Sequence, residues 1–214
     1  MRHVRVSPTA AQQAEQAAPA TRRRPRQSRS RASLIALQQA FVQVLLTRGY
    51  AKTTVREVAA VAGVAVGTFY QYVRNMDGLA ALCIHQHVHA LAGALRQCAA
   101  ARRGADRRDI AIALLTLQLD TVRRQAPAWS ALFQLERRVS SLDAYRRHYQ
   151  QYVDIWRAAL AAAAEPPPRL DAAARMAHCL CYGSISQALL AQGPSADLAA
   201  LRPELEAVLK ACLG

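Results

Sequence analysis

An all-α fold is predicted by two features of the sequence. Ala and Leu dominate a composition that is 52% apolar, with few β-branched runs, which favours helix. Apolar residues also recur at three- and four-residue steps in segment after segment, the period of a one-faced helix, with no strand-like alternation. At 214 residues the chain is long enough to bury a real core.

Residues 1–33 carry eight Arg against one Glu and almost no large apolar side chains, so this stretch is expected to be a disordered, arginine-rich arm. Leu34, Leu37, Phe41, Val44 and Leu45 then mark a helix that Gly49-Tyr50 ends. A second helix opens at Thr54-Val55-Arg56-Glu57, which reads as a capping box in which the Thr hydroxyl and the Glu carboxylate each satisfy a free backbone N–H. Gly63 ends it, and a short third helix follows over 66–72.

Asn75 reads as the N-cap of a long fourth helix reaching about residue 102, with Asp77 in its first turn where the helix dipole favours an anion. Further helices are expected at about 106–126, before Pro127, then at 128–138, 141–164, 170–191 and 196–212, with Gly193-Pro194 as a turn. Pro203 should kink or split the last of these. The expected organisation is an arm (1–33), a small helical head (34–82) and a helical body (83–214), with head and body joined inside the fourth helix.

Composition excludes several classes. The formal net charge is +14, and half of it sits on the arm, which fits a polyanionic partner bound by counterion release or a solubilising tail. No stretch approaches the ~18 apolar residues of a membrane span, and no apolar secretory signal is present, so a soluble, cytoplasmic protein without a membrane partner is expected. Five cysteines, an odd number scattered along helices, read as free thiols in a reducing compartment. No nucleophile elbow, phosphate-binding glycine loop or acid/base dyad is present, so no enzyme and no cofactor are expected.

The run Ala62-Gly63-Val64-Ala65-Val66-Gly67-Thr68-Phe69-Tyr70 meets the requirements of a helix-turn-helix: small residues at the turn, an apolar face behind and hydrogen-bonding side chains in front. Val64 and Phe69 lock the pair, and Thr68, Tyr70, Gln71 and Tyr72 are left for DNA. Together with Gly49-Tyr50, Thr53-Thr54-Val55-Arg56-Glu57-Val58-Ala59, Val73 and Asn75-Met76-Asp77-Gly78-Leu79, this run resembles the TetR (tetracycline-repressor-like) family of transcriptional regulators over about 50 residues. The resemblance implies a three-helix DNA-binding head and a body that dimerises and holds an inducer pocket.

Carried over by position, the resemblance puts Thr53 and Thr54 at phosphate, Val66, Gly67, Thr68 and Gln71 near base edges, and Tyr70 and Tyr72 at the backbone. The Gln71 amide suits a bidentate contact to adenine. Met76 stands where the family usually has Lys, for which Arg74 can substitute, and Ala65 stands where Ser or Thr is common, which leaves the third helix without a hydroxyl cap. Arg29 and Arg31, nearest the head, are candidates for a minor groove.

In the body, Tyr145, Tyr149, Tyr152 and Trp156 form one aromatic stripe with His148 beside it. With Trp129 and Phe133 opposite, and His178 and Tyr182 on a later helix, they are the candidate ligand-binding residues. His85 and His89 stand four apart with Cys83 and His87 near, and His178, Cys179 and Cys181 cluster, but no third ligand at matching spacing completes a metal site, and none is expected. The last two helical stretches carry small residues, among them Gly183, Ser184 and Ser186, suited to close packing in a homodimer. The function expected is a repressor released by a small-molecule inducer from a pseudo-palindromic operator in double-stranded DNA. The alternative is an architectural, non-specific DNA binder without inducer response.

Overall fold

A computed structural model describes residues 24–214, with side chains from Arg29 onward. The arm's first 23 residues lie outside the described residues. Nine α-helices make up the described chain: α1 (Arg24–Arg48), α2 (Val55–Val61), α3 (Val66–Tyr72), α4 (Met76–Ala100), α5 (Arg107–Arg124), α6 (Ala126–Val139), α7 (Leu142–Ala161), α8 (Leu170–Gln192) and α9 (Leu201–Leu213), with short 3-10 turns at Tyr50–Lys52 and Gly193–Ser195. The chain is all-α, as expected.

Helix α1 starts at Arg24, inside the stretch 1–33 expected to be a disordered arm. Arg, Gln and Ala are good helix formers, and Pro25, in the first turn, has no intrahelical N–H to lose. Gly49, at φ 74°, turns the chain out of α1, and Gly63, at φ 67°, turns it between α2 and α3. Thr54 caps α2 by accepting from the Glu57 N–H at 3.2 Å. Only that half of the capping box forms: the Glu57 carboxylate instead takes Arg48 Nε of α1 at 2.5 Å, a partner 9 positions back that local spacing does not reveal. Asn75 caps α4 at 2.9 Å through the Gly78 N–H.

Two prolines behave differently from the sequence expectation. Pro127 lies in the first turn of α6 rather than before it, where a missing N–H costs nothing. Pro203 does not kink a helix, because α9 begins only at Leu201. The preceding residues turn about Asp197, whose Oδ1 accepts from the Ala199 and Ala200 N–H groups at 3.1 Å each.

The apolar residues gather in two cores. The head core packs Leu37, Phe41, Val58, Phe69 and Leu79 from α1–α4, and it includes Leu132 and Leu135 from α6. The body core runs from Leu91 and Leu95 of α4 through Leu114, Trp156 and Ile185 to Leu205 and Leu209 of α9. Head and body therefore meet at α6 as well as along α4. Across the same junction Arg138 of α6 lies 4.9 Å over the ring of Tyr50, whose hydroxyl donates to Asp77 of α4.

Candidate nucleic-acid interface and ligand pocket

Helix α3 is seven residues long, too short to be stable alone, and Phe69 is its one buried residue. That anchor leaves the opposite face outward: Val66, Gly67, Tyr70 and Gln71 are exposed, and Thr68 is half-buried. No side-chain cap forms at Ala65, as the absent hydroxyl implies.

The two threonines at the head of α2 differ in what they can offer a phosphate. Thr53 Oγ1 donates its proton to the Gly49 carbonyl at 2.9 Å. Thr54 Oγ1 accepts from Glu57, which leaves its own O–H free to donate. Tyr72 is half-buried, and its hydroxyl donates to Ser30 of α1 at 3.1 Å. Arg29, Arg31 and Arg74 are exposed, as are Lys52 and Arg56, two further cations beside the threonines.

The structure brings eight of the nine candidate ligand residues into the wall of one cavity of about 40 Å³, which lies among α4, α5, α6, α7 and α8. Trp129 and Phe133 come from α6, Tyr145, His148, Tyr149 and Tyr152 from α7, and His178 and Tyr182 from α8. Trp156 is the exception: it is fully buried in the body core and does not line the cavity. It shares the stripe of Tyr145, but eleven residues of helix place it about 16 Å further along the axis. The space suffices for only one or two waters, so a larger guest must move a wall; Tyr145, at 41% exposure, stands at the outer side.

Ring contacts tie the wall together. His178 stacks on Tyr152 at 5.5 Å and meets Tyr149 edge-on at 5.2 Å, and Trp129 lies 5.5 Å from Phe133. Tyr152 spends its hydroxyl on the Val88 carbonyl of α4 at 2.8 Å.

Spacing alone did not single out Gln118 of α5 or Glu136 of α6, yet both line the cavity and are buried. Glu136 stands seven residues after Trp129, two helical turns on, so the signal was there in the period. Tyr182 Oη donates to its carboxylate at 3.2 Å. Burial raises the Glu136 carboxyl above its usual range, and burial lowers the pKa of the neighbouring His148 ring. At the outer edge His85 Nδ1 and His148 Nε2 stand 3.4 Å apart, with the His89 ring 4.0 Å from that of His85. Among the described residues no group of three or more His, Cys, Asp or Glu is arranged to hold a metal ion.

Burial pushes His178 down to about 4. Below an unfolded pKa near 6.5 the unfolded chain takes a proton that the folded ring refuses, so stability falls as pH drops from 6.5 toward 4. Between pH 7 and pH 5 this one ring should remove about 2 kcal/mol. His178→Phe keeps the stacking shape and should shrink the pH 7 to pH 5 difference in urea unfolding free energy by that amount; an unchanged difference would show that the ring is not buried neutral.

Residues 39–83 match the family described as bacterial regulatory proteins, tetR family. No curated protein matches the chain in sequence. Among solved structures it is similar to a TetR transcription regulator from Haloarcula marismortui (TM-score 0.69, 15% identity, covering 85% of this chain and 98% of that one). It is also similar to a TetR-family transcriptional regulator from Streptomyces coelicolor (0.63, 20%, 85% and 98%). A third similar structure is the transcriptional regulator FadR from Bacillus subtilis in complex with stearoyl-CoA (0.66, 18%, 84% and 99%). The chain thus carries the helix-turn-helix head of the tetR family of bacterial regulatory proteins on the fold of TetR-family transcriptional regulators.

Proposed function

We propose that the chain is a cytoplasmic repressor that binds a pseudo-palindromic operator as a homodimer and releases it when a small molecule enters the body cavity. The observation that carries this reading is the double role of α6. Trp129, Phe133 and Glu136 of that helix line the cavity, while Leu132 and Leu135 of the same helix sit in the head core. A guest too large for the present cavity must shift a wall, and a shift of α6 is felt in the head. A ligand that favours one placement of α6 over another shifts the balance between head placements by its differential affinity.

On the DNA side Gln71 and Thr68 read base edges, with Val66 and Gly67 against them. Thr54 and Tyr70 bind phosphate, flanked by Lys52, Arg56 and Arg74. Thr53 and Tyr72 join them on exchanging their internal partners for phosphate, and Arg29 and Arg31 reach toward the adjacent groove. Dimerisation uses α8 and α9, whose outward faces carry Met176, Cys179, Val208, Ala211 and Cys212, all exposed. A side chain added at Gly183 would meet nothing within 4 Å, which leaves room for a partner helix.

Footprinting on the DNA upstream of the chain's own coding sequence tests the reading. Protection of two half-sites about one helical turn apart is expected. Gln71→Ala should cost about 1–3 kcal/mol of discrimination at one base pair of each half-site, with little change in folding. Equal affinity for all duplexes, falling steeply with salt, would instead mark a non-specific binder and overturn the proposal.

A further inference from the structure

We propose that the cavity is a receptor for an organic cation, a compact aromatic or aliphatic amine whose charged nitrogen is held by Glu136. This rests on the reading of the cavity as the effector site and names the class of effector. The first observation is charge. Lys and Arg outnumber Asp and Glu by 28 to 14 in the chain, yet among the described residues the wall holds one carboxylate, Glu136, and no Lys or Arg.

Among the described residues no Lys or Arg forms an ion pair with that carboxylate, and the exposed Arg137 next to it in sequence only draws its pKa down against the effect of burial. Its side chain is 10% exposed, and its ion-pair contact is His148 Nδ1 at 3.6 Å, on a ring whose pKa burial lowers. A buried acid without a Lys or Arg ion-pair partner carries a desolvation penalty that an entering ammonium relieves.

The second observation is hydrogen bonding. Gln118 Oε1 is an acceptor buried in the wall without a partner, and His178 Nδ1 is likewise unpartnered. In the tautomer that leaves His178 Nδ1 bare, both want an N–H or O–H donor. An amine or amidine supplies donors and positive charge together. Among the described residues of the wall the one fixed donor without a partner, Trp129 Nε1, fits a hydroxyl or ether oxygen elsewhere on the same molecule.

The third observation is the lining. Trp129, Phe133, Tyr149 and Tyr182 present rings around the same space, and aromatic faces attract cations. A carboxylate or phosphate guest meets Glu136 and these negative ring faces instead. The Arg96, Arg103 and Arg147 side chains that would welcome an anion line a separate open groove between α4 and α7.

Calorimetric titration of the full chain with three probes that differ only in their head group tests the inference: phenethylammonium, phenethyl alcohol and hydrocinnamate. The ammonium is expected to bind about tenfold or more tighter than the alcohol, and hydrocinnamate weakest. In Glu136→Gln the ammonium should lose about tenfold while the alcohol changes by less than about twofold. The wild-type order decides alone if thermal melting shows that this variant misfolds. An ammonium that binds no tighter than the alcohol, an ammonium affinity unmoved in a folded Glu136→Gln, or no binding of any probe at millimolar concentration each overturns the inference. Tightest binding by hydrocinnamate overturns the cation and leaves the effector site standing, whereas failure of the operator footprint is failure of the repressor itself.

Discussion

Replacing Phe69 by Ala is expected to cost the head about 3–5 kcal/mol, the range for deleting a fully buried aromatic side chain. Operator binding should be lost with it. The magnitude follows from how little else holds α3. Phe69 is completely buried, the one residue of the seven that is, and half-buried Tyr72 packs against the core beside it. Val73, at the C-cap, adds a second buried apolar group, but a two-turn helix has no stability of its own to fall back on. Removing the ring leaves a void in the head core that Phe69 shares with Phe41, Val58 and Leu79. Because the body core does not touch that void, most of the helical circular dichroism should survive at 25 °C while footprinting detects no protection. Gln71→Ala provides the contrast, since it alters what is read and leaves α3 in place. Wild-type operator affinity in Phe69→Ala would show that α3 is held by something other than its core anchor.

The head was legible because its signals are local. Gly49, Thr54, Gly63 and Asn75 each fix a turn or a cap within four residues of themselves, and each sits where the sequence puts it. The start of α9 was not legible, because Asp197 organises a turn before it that resembles the helix on either side in composition. The aromatic stripe, with His148 beside it and joined to Trp129 and Phe133, found six residues of the cavity's α6 and α7 walls, but periodicity reports a face and not a depth. It therefore grouped Trp156, which lies in the body core, with residues one to three turns nearer the N-terminus of α7 that line the cavity. Glu136 stayed hidden for a related reason. Followed by Arg137 and Arg138, it reads as part of a solvated helix end, and only α7 and α8, distant in sequence, close over it.

Helix α6 shows best what a sequence stripe conceals. Trp129, Leu132, Phe133 and Leu135 make its apolar surface wider than one packed face needs, and the excess is the second core. Leu132→Ala is expected to cost about 2–5 kcal/mol, as for other buried leucines, and the manner of unfolding should distinguish it from an ordinary cavity mutant. Leu132 is 2% exposed and packs in the head core from a helix that belongs otherwise to the body. Its loss weakens the seam more than either side. Wild type should melt in one transition, because α4 and α6 tie both cores into one cooperative unit. In Leu132→Ala the head should melt first and the body later, giving two transitions by calorimetry. Leu114→Ala in α5 removes a side chain of the same size from a fully buried site in the body core, away from the seam. It should lower a single transition without splitting it. A single transition in both variants would mean that α4 alone joins head to body, and the route from cavity to DNA through α6 would have to be given up.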